Sequence, residues 1–240
     1  MAHVVTVQTG ITAISNPLPA RGGVEPETFE QVRQNAPVAF RTQQRAVTAR
    51  DYAEVAERHQ GVQRAAATFR WTGSWRTVFL TVDRLGGAEV DEEFKDEMRR
   101  HLERFRMAGH DVLIDGPAYV PLEIEMTVCV KPEFFRSDVK KALLEVFGHR
   151  LKPNGQPAVF HPDNFTFGQT VYLSPLYTAA QSIEGVASVE IKTFQRQGQP
   201  ATAALAEGKL ELERLEIARL DNDPNFPERG VFRLNMRGGR

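Results

Sequence analysis

The sequence predicts an α+β fold of two small related subdomains, each with helices packed on a mostly antiparallel sheet. Three observations predict it. First, Val90, Phe94, Met98, Leu102 and Phe105 recur at helical spacing, and Asp91, Glu92 and Glu93 lie at the start, where the helix dipole favours acids. Second, residues 122–130 alternate strictly. Leu122, Ile124, Met126, Val128 and Val130 point one way; Glu123, Glu125, Thr127 and Cys129 point the other. One face of that strand is buried, and the other is wet or covered by a partner. Third, a weak internal repeat relates residues 51–73 to 176–198. Each reads helix, Gly-Val, strand with a late Phe, and Gly turn; chance similarity of two helix–turn–strand units is an equal alternative. With a boundary near Gly116 to Pro121, residues 1–24 form a strand and extended arm, 25–118 the first subdomain and 119–240 the second.

The remaining elements follow in chain order. Residues 3–9 are β-branched and read as a short strand. Pro17, Pro19, Gly22 and Gly23 make 11–24 an arm lying across a neighbour or leading to a further region, rather than a packed element. Residues 25–35 read as a helix with Pro26 in its first turn and Ala36-Pro37 as its stop. Thr48 is an N-cap, and Asp51 completes a capping box. Tyr52, Val55, Ala56 and His59 share the apolar face behind it, and Gly61 ends the helix. Residues 62–71 and 76–82 are strands around the turn Thr72-Gly73-Ser74. The helix opened by Asp91 runs on to Gly109, and Ser137 caps another that carries Val139, Leu143 and Phe147. Residues 150–169, with Pro153, Pro157 and Pro162, form a long loop held against something. The chain then reads as a helix over 175–183, a strand over 186–194 and a loop over 195–207. A strand-like run over 210–220 shifts its apolar phase between Leu212 and Leu215, and a short strand over 231–236 closes the chain.

Composition bounds the function. Thirty basic and 31 acidic residues leave a net charge of -1, without the basic excess of a nucleic-acid binder. No apolar run approaches the roughly 18–20 residues of a membrane span. The first ten residues, MAHVVTVQTG, lack the pattern of a signal peptide. The expectation is a chain made in the cytoplasm. A single cysteine, Cys129, excludes an internal disulfide, and its place in mid-strand makes it a small packed side chain.

Catalytic patterns are sparse. None of His3, His59, His101, His110, His149 and His161 belongs to a zinc-site pattern. His59, His110 and His149 fall at helix ends, where an imidazole meets free carbonyls. There is no nucleophile elbow and no phosphate-binding loop. The most enzyme-like string is HPDNF (161–165), which puts an imidazole beside an acid. A hydrolase using His161 and Asp163 is one alternative function. A turn built by Pro162, Asp163 and Asn164 explains the same letters without chemistry. A monomeric ferredoxin-like binding module is the other alternative. No cofactor, metal or small-molecule substrate is implied.

The aromatics point to association. Trp71 and Trp75 flank one turn, Phe134-Phe135 precede a helix, and Phe165, Phe167 and Tyr172 crowd the long loop. Such residues cap cores, and they also anchor protein interfaces. Phe69, Phe94 and Phe147 read as core.

Four strings, in order, resemble the baseplate J-like family, the wedge proteins of contractile phage tails and related injection systems. NPLPARGGVEPE (16–27) carries Gly22, Gly23 and Glu25; APVAFRTQQRAVTARDYAEVA (36–56) carries Arg45, Thr48, Asp51 and Tyr52. FHPDNFTFGQTVYLSPLY (160–177) carries Gly168, and EGVASVEI (184–191) carries Gly185 and Val186. The last is LEIARLDNDPNFPERGVFRLNMRGG (215–239). Family members carry a substantial region before the Gly-Gly string, so the resemblance implies the C-terminal portion of a longer protein, a split product or a compact form. It implies a structural role without catalysis or cofactor. Copies associate with one another and with other baseplate proteins (wedge partners, the sheath initiator and the hub side), forming a ring around the tail hub. It implies no nucleic-acid partner and no membrane span.

Overall fold

The computed structural model describes residues 28–39, 45–73, 75–199 and 203–240. The expected strand over 3–9 and the arm over 11–24 lie outside them, as do Gly22, Gly23 and Glu25. The chain divides into two units, Met1–Gln43 and Gln44–Arg240.

The described part of the first unit is helix α1 (Phe29–Ala39). It starts later than the expected 25–35. The Thr28 amide donates to Gln31 Oε1 at 2.9 Å and the Gln31 amide to Thr28 Oγ1 at 3.4 Å, a reciprocal cap that sets the start. Pro37 does not stop the helix; it sits inside it, and one backbone bond is forgone.

The second unit holds two hydrophobic cores. The first is built by α2 (Ala49–Glu57), β1 (Val62–Trp71), β2 (Arg76–Arg84), α3 (Glu92–Leu102) and β3 (His110–Asp115). β1 and β2 form the expected antiparallel hairpin, and β3 adds to β2 in parallel, giving the order β1-β2-β3. Tyr52 and Val55 of α2 and Phe94, Met98 and Leu102 of α3 pack on Val78, Leu80 and Val82. α3 is shorter than expected: it ends at Leu102, and Ala46 then bridges to Arg106. β3 was not anticipated. Its six residues offer Val112 and Ile114 to the core, and its partner is not its neighbour in sequence. His110 accordingly lies in a strand, not at a helix end.

The second core is organised by β4 (Ala118–Val130). α4 (Arg136–Val146), β5 (Val171–Tyr172), α5 (Leu173–Gln181), β6 (Val186–Arg196), α6 (Ala204–Glu207), β7 (Lys209–Leu210), β8 (Glu216–Arg219) and β9 (Val231–Gly238) complete it. β4 pairs antiparallel with β6 along one edge. Its other edge is taken in parallel by β8 over Ala118 to Pro121, then by β9 over Glu123 to Val130. The fold is therefore α+β, with the two longest ladders antiparallel and parallel strands added beside them.

The alternation of β4 has the expected consequence. Leu122, Ile124, Met126, Val128 and Val130 are all buried in the core. On the opposite face Glu123 accepts from Gln195 at 2.9 Å and from Arg233 at 2.6 Å, and Glu125 accepts from Asn235 at 2.8 Å. These bonds hold the Glu123 carboxyl below the usual range, Gln195 first and Arg233 next.

Two local readings need correction. Ser137 is not the cap of α4: Phe135 holds that position, and Ser137 lies within the first turn, bonding Asp138. The expected loop 195–207 contains α6. The apolar phase shift near Leu212, read as a bulge or turn, is a turn at Arg214-Leu215 between β7 and β8. The two copies of the internal repeat follow the same path, α2 into β1 and α5 into β6. Each turns through a similar bond, Val62 N to His59 O at 3.0 Å and Val186 N to Ile183 O at 3.2 Å.

Gly185 has φ +89°, and a Cβ there lies 2.7 Å from Phe134 and 2.9 Å from Val139. Gly198 has φ +73° with nothing within 4 Å. Ala at either position costs about 1 kcal/mol for the left-handed backbone. Gly185→Ala adds overpacking of about 1–3 kcal/mol. Urea denaturation of both variants checks this; equal losses show that the Phe134 contact carries no weight.

Candidate assembly surface

The signature residues near the start of the second unit form a closed structural corner. Thr48 caps α2, its Oγ1 accepting from the Asp51 amide at 3.2 Å. Asp51 Oδ2 accepts from the amides of Thr48 at 2.8 Å and Val47 at 2.9 Å. The Thr48 bond comes first among the causes that hold the Asp51 carboxyl below the usual range. Tyr52 is fully buried; its hydroxyl accepts from the Met107 amide at 3.2 Å and meets His110 Nδ1 at 3.1 Å. Burial pushes that phenol up. Arg45 is exposed just ahead of the bridge made by Ala46.

The later signature residues set backbone positions. Gly168 has φ +64° and donates to Glu216 O at 2.9 Å. Gly185 takes the close contact with Phe134, and Val186 opens β6 inside the core.

The candidate interface aromatics divide into two groups. Trp71 (71% exposed) and Trp75 (58%) stand at the tip of the β1–β2 hairpin, where the Thr72 amide donates to Trp75 O at 3.2 Å. Phe135 (56%) and Tyr172 (53%) are also exposed. Phe135 sits on a corner tied down by Arg136 Nε to Gly238 O at 2.9 Å and by the Arg240 amide to Phe134 O at 3.0 Å.

Phe165, in contrast, is 8% exposed and belongs to the second core. Phe134 and Phe167 are partly buried against that core. Phe165 is thus a core residue in this chain, and Phe134 and Phe167 pack against that core. The reason is the path of residues 150–169, which turn inward and put Ala158, Phe160 and Phe165 in the interior. Val159 N to Val146 O at 2.8 Å and Asn164 Nδ2 to Ala158 O at 2.7 Å hold that path.

His161 and Asp163 come together, but as a clasp. Pro162–Asn164 is a 3-10 turn whose Asp163 amide donates to His161 Nδ1 at 3.3 Å; the His161 Nδ1 to Asp163 Oδ2 distance is 3.6 Å. Asp163 Oδ1 accepts from the Gly86 amide at 2.6 Å. Pro162 lies so close to Gly87 that a Cβ there meets it at 2.9 Å. Gln63 Nε2 donates to the carbonyls of Asp163 at 2.9 Å and Phe165 at 3.3 Å. The HPDNF string thus joins the first core to the second. Sequence reasoning missed that role, although Pro162-Asp163-Asn164 reads as a turn.

Among the described residues no group of three or more His, Cys, Asp or Glu is placed to hold a metal, and no helix is long and apolar enough to cross a membrane. His59 and His101 pack edge to face at 5.5 Å. His101 Nε2 lies 2.9 Å from Val55 O, and His59 Nδ1 accepts from the Gly61 amide at 3.3 Å.

The capping corner gives a pH test. Thr48→Ala costs about 1 kcal/mol. Asp51 has a lowered carboxyl, so its contribution is present above the usual carboxylate range and lost as pH falls through the lowered value. Asp51→Ala is therefore destabilised at neutral pH and converges on the wild type in strong acid, read by urea denaturation across pH. A constant difference overturns the assignment.

Comparison with known proteins gives the corner a family. No curated protein matches the chain. One solved structure that it resembles is titled "Cryo-EM structure of the anti-feeding prophage (AFP) baseplate, 6-fold symmetrised". Identity is 18% and the TM-score 0.47, over 84% of this chain and 43% of that one, so this chain spans less than half its length. The family model of the Baseplate J-like central domain matches residues 44–115. That segment runs from the Arg45–Tyr52 corner through the end of β3 and contains the whole first core. The resemblance read from ARDY and its neighbours is thus met, over the first core, by a match to the Baseplate J-like central domain.

Proposed function

We propose that the chain is a structural component of the baseplate of a contractile phage tail or tail-like injection particle. In this reading copies associate into wedges, and wedges close a ring around the tail hub, touching other wedge proteins, the sheath initiator and the hub side. The match to the Baseplate J-like central domain over residues 44–115 carries the proposal. The protein is made in the cytoplasm and works by binding, not by catalysis, and needs no cofactor, metal, nucleic acid or small-molecule substrate. The engagement of His161 and Asp163 in the clasp favours this over the hydrolase alternative. Two separate cores favour the proposed boundary near Gly116 to Pro121 between the two subdomains.

The exposed aromatics are the proposed contacts: Trp71 and Trp75 at the hairpin tip, Phe135 at the α4 corner, and Tyr172. Each has a large exposed apolar surface, the form interface anchors take. Arg70 stacks on Phe79 at 4.8 Å and Arg76 on Phe69 at 4.6 Å, so the tip is stiffened and cationic.

Trp75→Ala and Phe135→Ala are expected to weaken incorporation into particles by on the order of 2 kcal/mol each. Circular dichroism should show unchanged folding, since neither side chain is buried. Particle counts or co-purification with other baseplate proteins give the readout. Normal incorporation of both variants places the interface elsewhere, and loss of folding makes them core residues.

A further inference from the structure

The two cores meet at a seam where buried polar atoms lie among apolar side chains, Phe160, Pro162, Ile217 and Leu220 among them. Asp83, near the end of β2, is only 3% exposed. Its Oδ2 has no protein hydrogen-bond partner among the described residues, and neither has the hydroxyl of Tyr119, near the start of β4. Both residues line a narrow cavity of about 10 Å³, together with Gly87, Phe160, Pro162 and Arg219. That is room for about one water molecule.

The charged groups around Asp83 come from every element packed there. Arg64, its cross-strand partner on β1, turns to Glu57 at 3.9 Å. Arg84 gives Nη1 to Glu89 O and lies 4.2 Å over the Phe94 ring. Arg219 on β8 gives Nε and Nη2 to Asp221 and stacks 4.9 Å from Tyr119. Arg229 reaches Glu89 at 3.3 Å and Asp221 at 4.0 Å. Asp163, with His161 beside it, brings a second negative charge from the 3-10 turn. Each neighbouring guanidinium is thus engaged by another group, although Arg84 Nε has no hydrogen-bond partner among the described residues, while a like charge faces Asp83 across the seam.

We propose that Asp83 is a proton-controlled latch between the two cores. Protonated, Asp83 shares a hydrogen bond with the Tyr119 hydroxyl, directly or through one water, and the seam stays closed. Ionised, the buried carboxylate has no partner and is repelled by Asp163; it draws in water, and the Gly86–Asp163 and Gly87–Pro162 contacts loosen. The proposal stands apart from the baseplate reading, because it needs no partner.

The sign follows from linkage. Burial first, and Asp163 second, push the Asp83 carboxyl up to about 7. A closed seam therefore keeps a proton that an open, hydrated seam releases at the usual carboxylate range. Closure is fully favoured below that range, weakens as pH rises toward about 7, and levels off above it. With one proton involved, the closed-to-open ratio changes by at most about tenfold per pH unit.

Hydrogen–deuterium exchange of the full chain tests this, between about pH 5 and about pH 8 with intrinsic rates corrected. Peptides spanning 83–89 and 158–166 report the seam; a peptide over 122–130 reports the second core. In the wild type, protection of both seam peptides falls together as pH rises, while the core peptide stays protected. Asp83→Asn keeps the shape without the charge, and its seam stays protected throughout. Asp163→Asn keeps an acceptor for the Gly86 amide but removes the facing charge, so its midpoint moves to lower pH. Seam protection in the wild type that is independent of pH, or a dependence retained in Asp83→Asn, overturns the latch. If Asp83→Asn does not fold, Asp163→Asn decides: a lowered midpoint supports the latch, and an unmoved one overturns it.

Discussion

The second core depends on one strand with a strict period of two. β4 presents five apolar side chains to its inner face and acids to its outer face, and a shift of one residue exposes the first set while burying the second. That constraint fixes the register of three other strands. β6 is held by Glu123 with Gln195, and β9 by Glu123 with Arg233 and Glu125 with Asn235. β8 takes the part of the edge that β9 leaves free, and Pro121 sits where the two change over. A proline that cannot donate is tolerated at such a break more readily than in mid-ladder. α4 and α5 then cover the apolar face, with Leu143 and Ala180 fully buried.

The link between the cores has a different physical character. It is made by backbone and side-chain polar groups: Asp163 on the Gly86 amide, Gln63 on two carbonyls, and Arg214 on Ala67 O at 3.2 Å. Polar links of this kind are directional and are exchanged for water at modest cost, whereas apolar cores resist opening. The family match ends at residue 115, just before this junction.

The surface is shaped to match. Exposed aromatics lie at the hairpin tip and at the α4 corner, both fastened by hydrogen bonds, so the proposed contacts there would lose little ordering entropy. The signature residues Thr48, Asp51 and Tyr52 lie inside rather than on that surface. They specify the corner at the start of the first core. This separation explains why a motif identifies the fold more readily than it identifies the contacts.

What the sequence determined by itself was local. The Thr48–Asp51 box, the stripe of α3, the alternation of β4 and the hairpin around Gly73 all follow from residues within a few positions of one another, and their signals were legible. The family signature was legible for the same reason, being a run of short local strings. What only the tertiary structure decided was which distant segments meet. β3 has little pattern of its own and exists because β2 offers it an edge. Residues 150–169 read as a long loop held against something; the structure shows that Phe160 and Phe165 pack in the second core. His161 and Asp163 look like chemistry in one dimension, and in three they fasten a turn to Gly86. Periodicity reports the face a residue presents; it carries no information about the partner that face meets, because that choice is made by packing across the whole chain.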